Sequence, residues 1–240
     1  MPVGVFPGGI ARGVRIMSIR AVCYCDERDK DVANAIRYAV DNGANIISGS
    51  FGKPYSPQKV AVDSAISYAD RKGVLIVHAA GNDGVNVDSV PRFPNKYYLS
   101  GVTAQNWIEV GASYWKDPEN HLAARWSNYG HDRVDVYAPG VDIYSAWSGG
   151  QFRRESGTSM AAPMVSGIAA VLMEYYPELS AADVRRIILD SAIEYKDRLV
   201  LAPGGKGDPI PFGRLSATGG IANLYAALRL AEQRVARPAP

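Results

Sequence analysis

The sequence predicts an α/β fold in which helices flank a parallel central sheet. Between residues 14 and 77, strand-like apolar runs alternate with segments of helical apolar spacing, and this order is typical of a parallel sheet. After Gly157 follows a run that is apolar nearly all round, which indicates a helix buried on every side. A length of 240 residues fits a single domain over residues 1–235 with a short tail at 236–240.

Each element is predicted from its local pattern. Residues 14–22 alternate in character and predict the first strand, residues 29–42 have helical spacing and stop at Gly43, and residues 45–50 predict a buried strand. The remaining predicted elements are a helix from Pro57 to Gly73, strands at 74–77, 107–112 and 134–137, a turn at Gly149 and Gly150, the buried helix from Ser159, a capped helix from Ser180 to Ser191, and a last helix at 221–232.

Composition narrows the function classes. The net charge is +2 and Lys and Arg are spread along the chain, which does not indicate nucleic acid or an anionic membrane as a partner. No apolar run approaches the roughly 20 residues that span a bilayer. The N-terminal residues also lack the basic flank and following apolar stretch that are typical of an export signal. The only cysteines, Cys23 and Cys25, point to opposite faces of an extended segment, so free thiols are favoured over metal or redox chemistry.

The sequence predicts no cofactor, and calcium is left open without an assigned site. Four acidic residues precede or open the first predicted helix: Asp26, Glu27, Asp29 and Asp31. Carboxylates grouped in this way are typical of calcium loops, but also of solvated charge at a helix start, where the dipole favours negative groups. The second interpretation is favoured.

The segment 155–167 (ESGTSMAAPMVSG) places Ser159 at the start of the buried helix. A hydroxyl there lies near unpaired backbone N–H groups and the positive end of the helix dipole, where developing negative charge is favoured. Gly157 is expected to allow a tight bend before it. The pattern therefore indicates a nucleophile, although Gly-Thr-Ser is also a common N-cap of core helices.

A second candidate position follows the apolar strand at 74–77. The run HAAGNDG at 78–84 places Asn82 on a glycine-flanked loop at the carboxyl edge of the predicted sheet. Sites of α/β proteins form at that edge. Taken alone, however, such an asparagine is more often a turn former.

Together these segments resemble the subtilisin family of serine endopeptidases. GTSMAAP at 157–163 is similar to the family's nucleophile signature, AAGN at 79–82 to its oxyanion segment, and SNYG at 127–130 and APG at 138–140 to further family segments. The resemblance runs from about residue 4 to 230. It implies a three-layer subtilisin-like fold, protein or peptide substrates, and a secreted or otherwise extracytoplasmic parent protein.

The resemblance also implies residue roles. Ser159 would be the nucleophile, and Asn82 would donate to the tetrahedral oxyanion beside the nucleophile's own N–H. Two groups would bind substrate: an edge that pairs with an extended peptide, Ser50, Phe51 and Gly52, and the walls of the primary specificity pocket, Ala79, Ala80 and Gly81. Gly49 departs from the pattern, because the family usually has a larger apolar residue there.

The family's triad aspartate and histidine occur in Asp-Thr-Gly and His-Gly-Thr-His segments, and neither is found in these 240 residues. Residues 3–9 resemble the stretch shortly after the histidine segment. The expectation is therefore a subtilisin-like domain that lacks its N-terminal strands, including the aspartate strand between 14–22 and 45–50. Such a chain would be inactive alone and would need a segment that carries the triad Asp and His.

The three histidines of the chain are not expected to replace that base. His78 lies in an apolar strand and is expected to be a hydrogen-bonded core residue, whereas His121 and His131 lie in polar loops and are expected to be solvated. The alternative function is a non-catalytic peptide-binding or scaffold protein that retains the protease fold.

Overall fold

The computed structural model describes residues 9–22, 27–116, 121–205 and 207–236. The helices are α1 (Asp29–Asp41), α2 (Lys59–Arg71), α3 (Thr158–Tyr175), α4 (Ala181–Asp190) and α5 (Leu224–Val235). The strands are β1 (Ile46–Gly49), β2 (Leu75–Ala79), β3 (Trp107–Ser113), β4 (Val136–Pro139), β5 (Ile143–Trp147), β6 (Gln151–Glu155), β7 (Ile193–Glu194), β8 (Leu199–Val200), β9 (Ile210–Pro211) and β10 (Gly220–Ile221).

The main sheet has six strands in the order β1-β2-β3-β4-β10-β7. Every neighbouring pair from β1 to β10 is parallel, and only β7 runs antiparallel to its neighbour. The register places Ile46 opposite Leu75, and Val110 opposite Val136. The predicted α/β class with a parallel central sheet is therefore confirmed.

Helices cover the two faces of this sheet. Helices α1 and α2 pack on each other and, through Ile66 among others, over Ile76 and Trp107 on one face. On the other face α3 packs against β1, β2, β3 and β4, and α4 and α5 pack beside it. Because the sheet lies on one side of α3 and α4 and α5 lie beside it, most of its residues from Ala161 to Leu172 are buried, as its sequence predicted.

Most element boundaries match their local signals. Helices α1 and α2 stop before Gly43 and Gly73, which have φ of +81° and +70°, the left-handed conformation that glycine adopts without strain. Ser180 caps α4 in a capping box with Asp183. The last helix was expected from residue 221 but begins at Leu224, because the preceding residues form β10 and pair with β4.

The strand expected at 14–22 is wrong. In the part of the chain that the structure describes, no strand includes these residues, and Ile16 and Met17 are 53% and 41% exposed. An alternating sequence forms a strand only where a neighbouring strand supplies backbone partners, and these residues have no ladder in the described structure. Among the described residues, strand β1 at one edge of the sheet pairs only with β2.

Three expectations fall on other parts of the chain. Cys23, Cys25 and Asp26 lie outside the described residues, as do residues 237–240 of the tail.

Among the described helices, none combines the length and the hydropathy that a membrane span requires.

A buried ionic cluster ties the sheet to two surrounding elements. The Asp135 carboxylate accepts hydrogen bonds from Lys96 Nζ at 2.8 Å and Arg185 Nη2 at 3.2 Å through one oxygen. Its other oxygen accepts from the Glu109 backbone N–H at 2.7 Å. The side chains of Asp135 and Lys96 are 2% and 8% exposed, so each neutralises a charge that water does not reach.

Asp135→Ala is expected to lower the free energy of unfolding by roughly 3–5 kcal/mol, because it leaves the Lys96 ammonium buried without its partner. The measurement is urea unfolding followed by circular dichroism. The matched control is Asp132→Ala, whose carboxylate is 75% exposed and pairs only with His131, and it should stay within about 0.5 kcal/mol of the parent. Equal effects of the two substitutions would contradict a stabilising role for this cluster.

Candidate active site

Ser159 is the second residue of α3, as expected for a nucleophile at a helix start. Gly157 precedes the helix with φ 165° and ψ 157°, which is extended backbone that any residue adopts. The expected tight bend at Gly157 is therefore wrong. A Cβ at Gly157 would lie 3.5 Å from Ser159 N and 3.7 Å from Asn82 Nδ2, so both nitrogens border the space beside this glycine.

Asn82 is held by the first residue of the same helix. Its Oδ1 accepts hydrogen bonds from Thr158 N at 2.9 Å and Thr158 Oγ1 at 3.0 Å. The Thr158 hydroxyl also accepts from Gly81 N at 3.1 Å. These bonds fix the amide with Nδ2 turned away from Thr158, and within the described residues Nδ2 has no protein acceptor. The Asn82 amide is thus oriented as a free donor.

Two donors therefore converge beside the Ser159 hydroxyl. Ser159 N belongs to the first turn of α3, where backbone N–H groups have no partner inside the helix. Like Asn82 Nδ2, it borders the space next to Gly157. Such a pair of N–H groups stabilises an oxygen that becomes negative during a reaction.

The edge expected to bind substrate lies against the same serine. Ser50 Oγ donates to the Ser159 carbonyl at 3.0 Å, and Ser159 Oγ donates to the Ser50 carbonyl at 3.5 Å. Phe51 and Gly52 continue the chain from the end of β1. The structure thus brings Ser159, Asn82 and the beginning of this edge together.

The residues expected to form the pocket walls lie at the end of β2 and directly after it, next to Asn82. Ala79 and Ala80 are buried, and Gly81 has φ +101°. Asn128 braces the loop: its Nδ2 donates to the Ala80 carbonyl at 2.8 Å and its Oδ1 accepts from Asp83 N at 3.0 Å. A Cβ at Gly81 would lie 2.4 Å from Asn128 Nδ2, so only glycine fits there. The SNYG motif indicated Asn128 by resemblance, but not this bracing role.

One ion pair adjoins the pocket walls. Arg92 Nε donates to Asp83 Oδ2 at 3.0 Å. Burial raises the pKa of the Asp83 carboxyl, but hydrogen bonds from Arg92 and Asn128 outweigh it and leave the pKa below its usual value. Asp83 is therefore ionised at neutral pH, and no sequence pattern had indicated either residue.

His78 accounts for the departure at Gly49. The imidazole is 2% exposed, and its Nδ1 is 2.9 Å from Glu109 Oε1. Trp107 Nε1 donates to the other Glu109 oxygen at 2.7 Å. A Cβ at Gly49 would lie 3.1 Å from His78 Cδ2. The histidine ring therefore fills the space that a larger side chain at residue 49 would need, and the expectation of a hydrogen-bonded core histidine is confirmed.

The other two histidines differ from each other. The His131 side chain is 63% exposed and pairs with Asp132, as expected. His121 was expected to be solvated but is buried at 8% exposure, because residues 121–123 lie beside the end of β3, where Ala123 bridges Ser113. The hydrogen bond of the Ser159 hydroxyl goes to the Ser50 carbonyl and not to an imidazole.

Asp29, the first residue of α1, does not fit as a calcium ligand. Asp29 is buried, not solvated as expected: Lys53 Nζ lies 2.9 Å from its Oδ1, and Gln58 N donates to its Oδ2 at 2.6 Å. Both carboxylate oxygens are thus occupied by the protein. In the described ranges, no three His, Cys, Asp or Glu side chains converge as metal ligands.

Comparison with known proteins decides the family. The model of the subtilase family, peptidase family S8, matches residues 5–222. The chain belongs to the subtilase family. This subtilase is 39% identical over 169 residues to the thermophilic serine proteinase of Bacillus sp. (strain AK1), a match that covers 68% of this chain and 37% of that protein. It is 32% identical over 174 residues to subtilisin DY of Bacillus licheniformis, covering 72% of this chain and 58% of that protein.

The structural comparison agrees. The crystal structure of a cold adapted subtilisin-like serine proteinase superposes with a TM-score of 0.66 at 27% identity, and covers 86% of this chain and 70% of that chain. The expected family and the subtilisin-like fold are therefore confirmed. The matches span only 37% and 58% of the two sequence relatives named above.

Proposed function

We propose that this subtilase acts in the hydrolysis of peptide bonds as a serine endopeptidase, through an acyl-enzyme on Ser159. The observation that carries the proposal is the convergence of Ser159 N and Asn82 Nδ2 on the space that Gly157 leaves open beside the serine. A peptide that lies along Ser50–Gly52 would present its carbonyl there. The parent protein is proposed to be extracytoplasmic, on family resemblance.

In the proposed reaction, Ser159 Oγ attacks the carbonyl carbon while a base takes its proton. The carbonyl oxygen becomes an oxyanion that accepts hydrogen bonds from Asn82 Nδ2 and Ser159 N. The base then returns the proton to the leaving amine, and water hydrolyses the acyl-enzyme by the same route. Substrate binding along Ser50–Gly52 holds the carbonyl within reach of the hydroxyl.

The base is proposed to come from a segment outside these 240 residues that carries the family's aspartate and histidine. Two observations support this. His78 is engaged with Glu109 and His131 with Asp132, rather than with Ser159. Among the described residues, strand β1 pairs on one side only, so an added strand would find unpaired backbone groups at its other edge. Ile16, in the segment before α1, is exposed and leaves apolar surface available.

The chain alone is expected to hydrolyse a fluorogenic peptide no faster than its Ser159→Ala variant, because no base takes the serine proton. Adding a polypeptide with the family's Asp-Thr-Gly and His-Gly-Thr-His segments should produce activity that depends on Ser159. Serine-dependent activity of the chain alone would show that it holds its own base. A chain that binds the added segment and peptide, yet stays inactive, would favour a non-catalytic scaffold.

A further inference from the structure

An arginine lies between the two groups of residues proposed to bind substrate. On one side, Phe93 forms an antiparallel bridge with Lys53, with N–H to carbonyl distances of 2.9 Å in both directions. Lys53 directly follows the Ser50–Gly52 edge. A Cβ at Gly52 would lie 3.3 Å from the Phe93 carbonyl oxygen. The backbone of Phe93, the residue after Arg92, is thus packed against the substrate edge.

On the other side, the Arg92 side chain reaches the loop that carries the oxyanion donor. Its Nε lies 3.0 Å from Asp83 Oδ2, and Asp83 directly follows Asn82. The Arg92 carbonyl accepts from Asn95 Nδ2 at 2.7 Å, which fixes the backbone from which the side chain projects. Arg92 therefore spans the space between the Ser50–Gly52 edge and the pocket walls that lead into Asn82.

The Arg92 guanidinium keeps donor groups available after it has paired with Asp83. The Arg92 side chain is 18% exposed, whereas that of Asp83 is 53% exposed, so water screens the carboxylate more than its partner. Asp83 engages only Nε. In the part of the chain that the structure describes, Nη1 and Nη2 of Arg92 have no hydrogen-bond partner. Two parallel N–H groups of this kind match a carboxylate in bidentate geometry.

We propose that Arg92 determines specificity, by binding an acidic side chain on the substrate residue whose carbonyl Ser159 attacks. The inference rests on the proposed function, since it places that residue beside Ala79–Gly81. A glutamate or aspartate side chain would accept hydrogen bonds from Nη1 and Nη2. A lysine side chain there would meet the guanidinium and be repelled.

The test is direct binding, so that it does not depend on turnover. N-acetyl tetrapeptide amides that differ only in a last residue of Glu, Gln or Lys are titrated onto the chain by calorimetry at pH 7. The Glu peptide should bind roughly 10- to 100-fold more tightly than the isosteric Gln peptide, the range of a charge-assisted hydrogen bond. Arg92→Gln should remove this preference, and Arg92→Glu should transfer it to the Lys peptide.

Two further variants separate charge from folding. Arg92→Lys keeps the positive charge without the fork and should retain a smaller preference for Glu. Arg71→Gln, an exposed arginine at the end of α2 that bonds only Ser67, changes the net charge equally and should leave the preference intact. Circular dichroism of each variant verifies that it is folded.

The outcomes distinguish this inference from the proposed function. Equal affinity for Glu and Gln peptides, or a preference that persists in Arg92→Gln, would overturn the role of Arg92 alone. Failure of every peptide to bind would overturn the substrate edge and the Arg92 role together. A Glu preference in a chain that never gains activity with the added segment would support Arg92 and refute the proposed catalysis.

Discussion

Ser159→Ala is expected to lower peptide hydrolysis by roughly 10⁶-fold in the complemented protein, the chain together with the segment that supplies the base. The magnitude is carried over from subtilisin, where loss of the nucleophile has that effect on turnover. It corresponds to about 8 kcal/mol of transition-state stabilisation. Its physical reason is that the acyl-enzyme route requires an oxygen nucleophile, and alanine leaves only the contributions of binding and the two N–H donors.

The matched control is Ser166→Ala, the same substitution in the same helix. Ser166 Oγ donates to the Ala162 carbonyl at 3.1 Å and can accept from Ser48 Oγ at 3.0 Å, and no hydrogen bond joins it to Ser159. Its loss should reduce the free energy of unfolding by about 1 kcal/mol while leaving kcat within a few-fold. If Ser159→Ala kept measurable acyl transfer above the added segment alone, the nucleophile would lie elsewhere.

Local sequence signals predicted the elements whose ends are set locally. Gly43 and Gly73 stop α1 and α2 because their positive φ suits glycine, and this is visible in the sequence. The start of α5 is different: Ile221 is drawn into the sheet by pairing with Tyr137 of β4. That pairing joins residues far apart in the chain, and no pattern within residues 219–232 encodes it.

The candidate site likewise contains residues that sequence motifs indicated and contacts that only the fold creates. Ser159 and Asn82 lie in recognisable motifs because the chemistry proposed for them needs those residue types at a helix start and in a loop. The His78–Glu109 pair depends on β2 lying beside β3, and the ion pair of Arg92 with Asp83 depends on how the loop after Asn82 folds back on itself. A single sequence holds no period or spacing for such contacts, so they were found only from the structure.

Dependence on contacts between strands also explains why no reason was visible in the sequence for the glycine at residue 49, where the family usually has a larger apolar residue. The sequence showed a glycine where a larger apolar residue is usual, and His78 on a different strand. Only the parallel pairing of β1 with β2, which places Gly49 opposite His78, reveals that the two positions share one volume. Interiors are packed closely enough that a large ring on one strand requires a small residue on the next.

Asn82→Ala is expected to lower kcat of the complemented protein by roughly 10²- to 10³-fold, the effect of removing this donor in subtilisin. The Michaelis constant should change little, because the hydrogen bond from Nδ2 forms to the oxyanion and not to the ground-state carbonyl. The expected loss is about 3–4 kcal/mol of transition-state stabilisation. The measurement is kcat and KM for a fluorogenic peptide, side by side with the parent.

Asn82→Asp distinguishes loss of the hydrogen-bond donor from loss of the bonds that anchor the loop. Aspartate keeps an oxygen that accepts from Thr158 N and Thr158 Oγ1, so the loop stays anchored to α3, but it replaces the N–H donor with an acceptor that repels the oxyanion. Its kcat should therefore fall at least as far as that of the alanine variant, with the urea midpoint nearer to the parent. An aspartate variant that turned over at the parental rate would refute donation by Asn82, since no N–H would remain on that side chain to stabilise the negative oxygen.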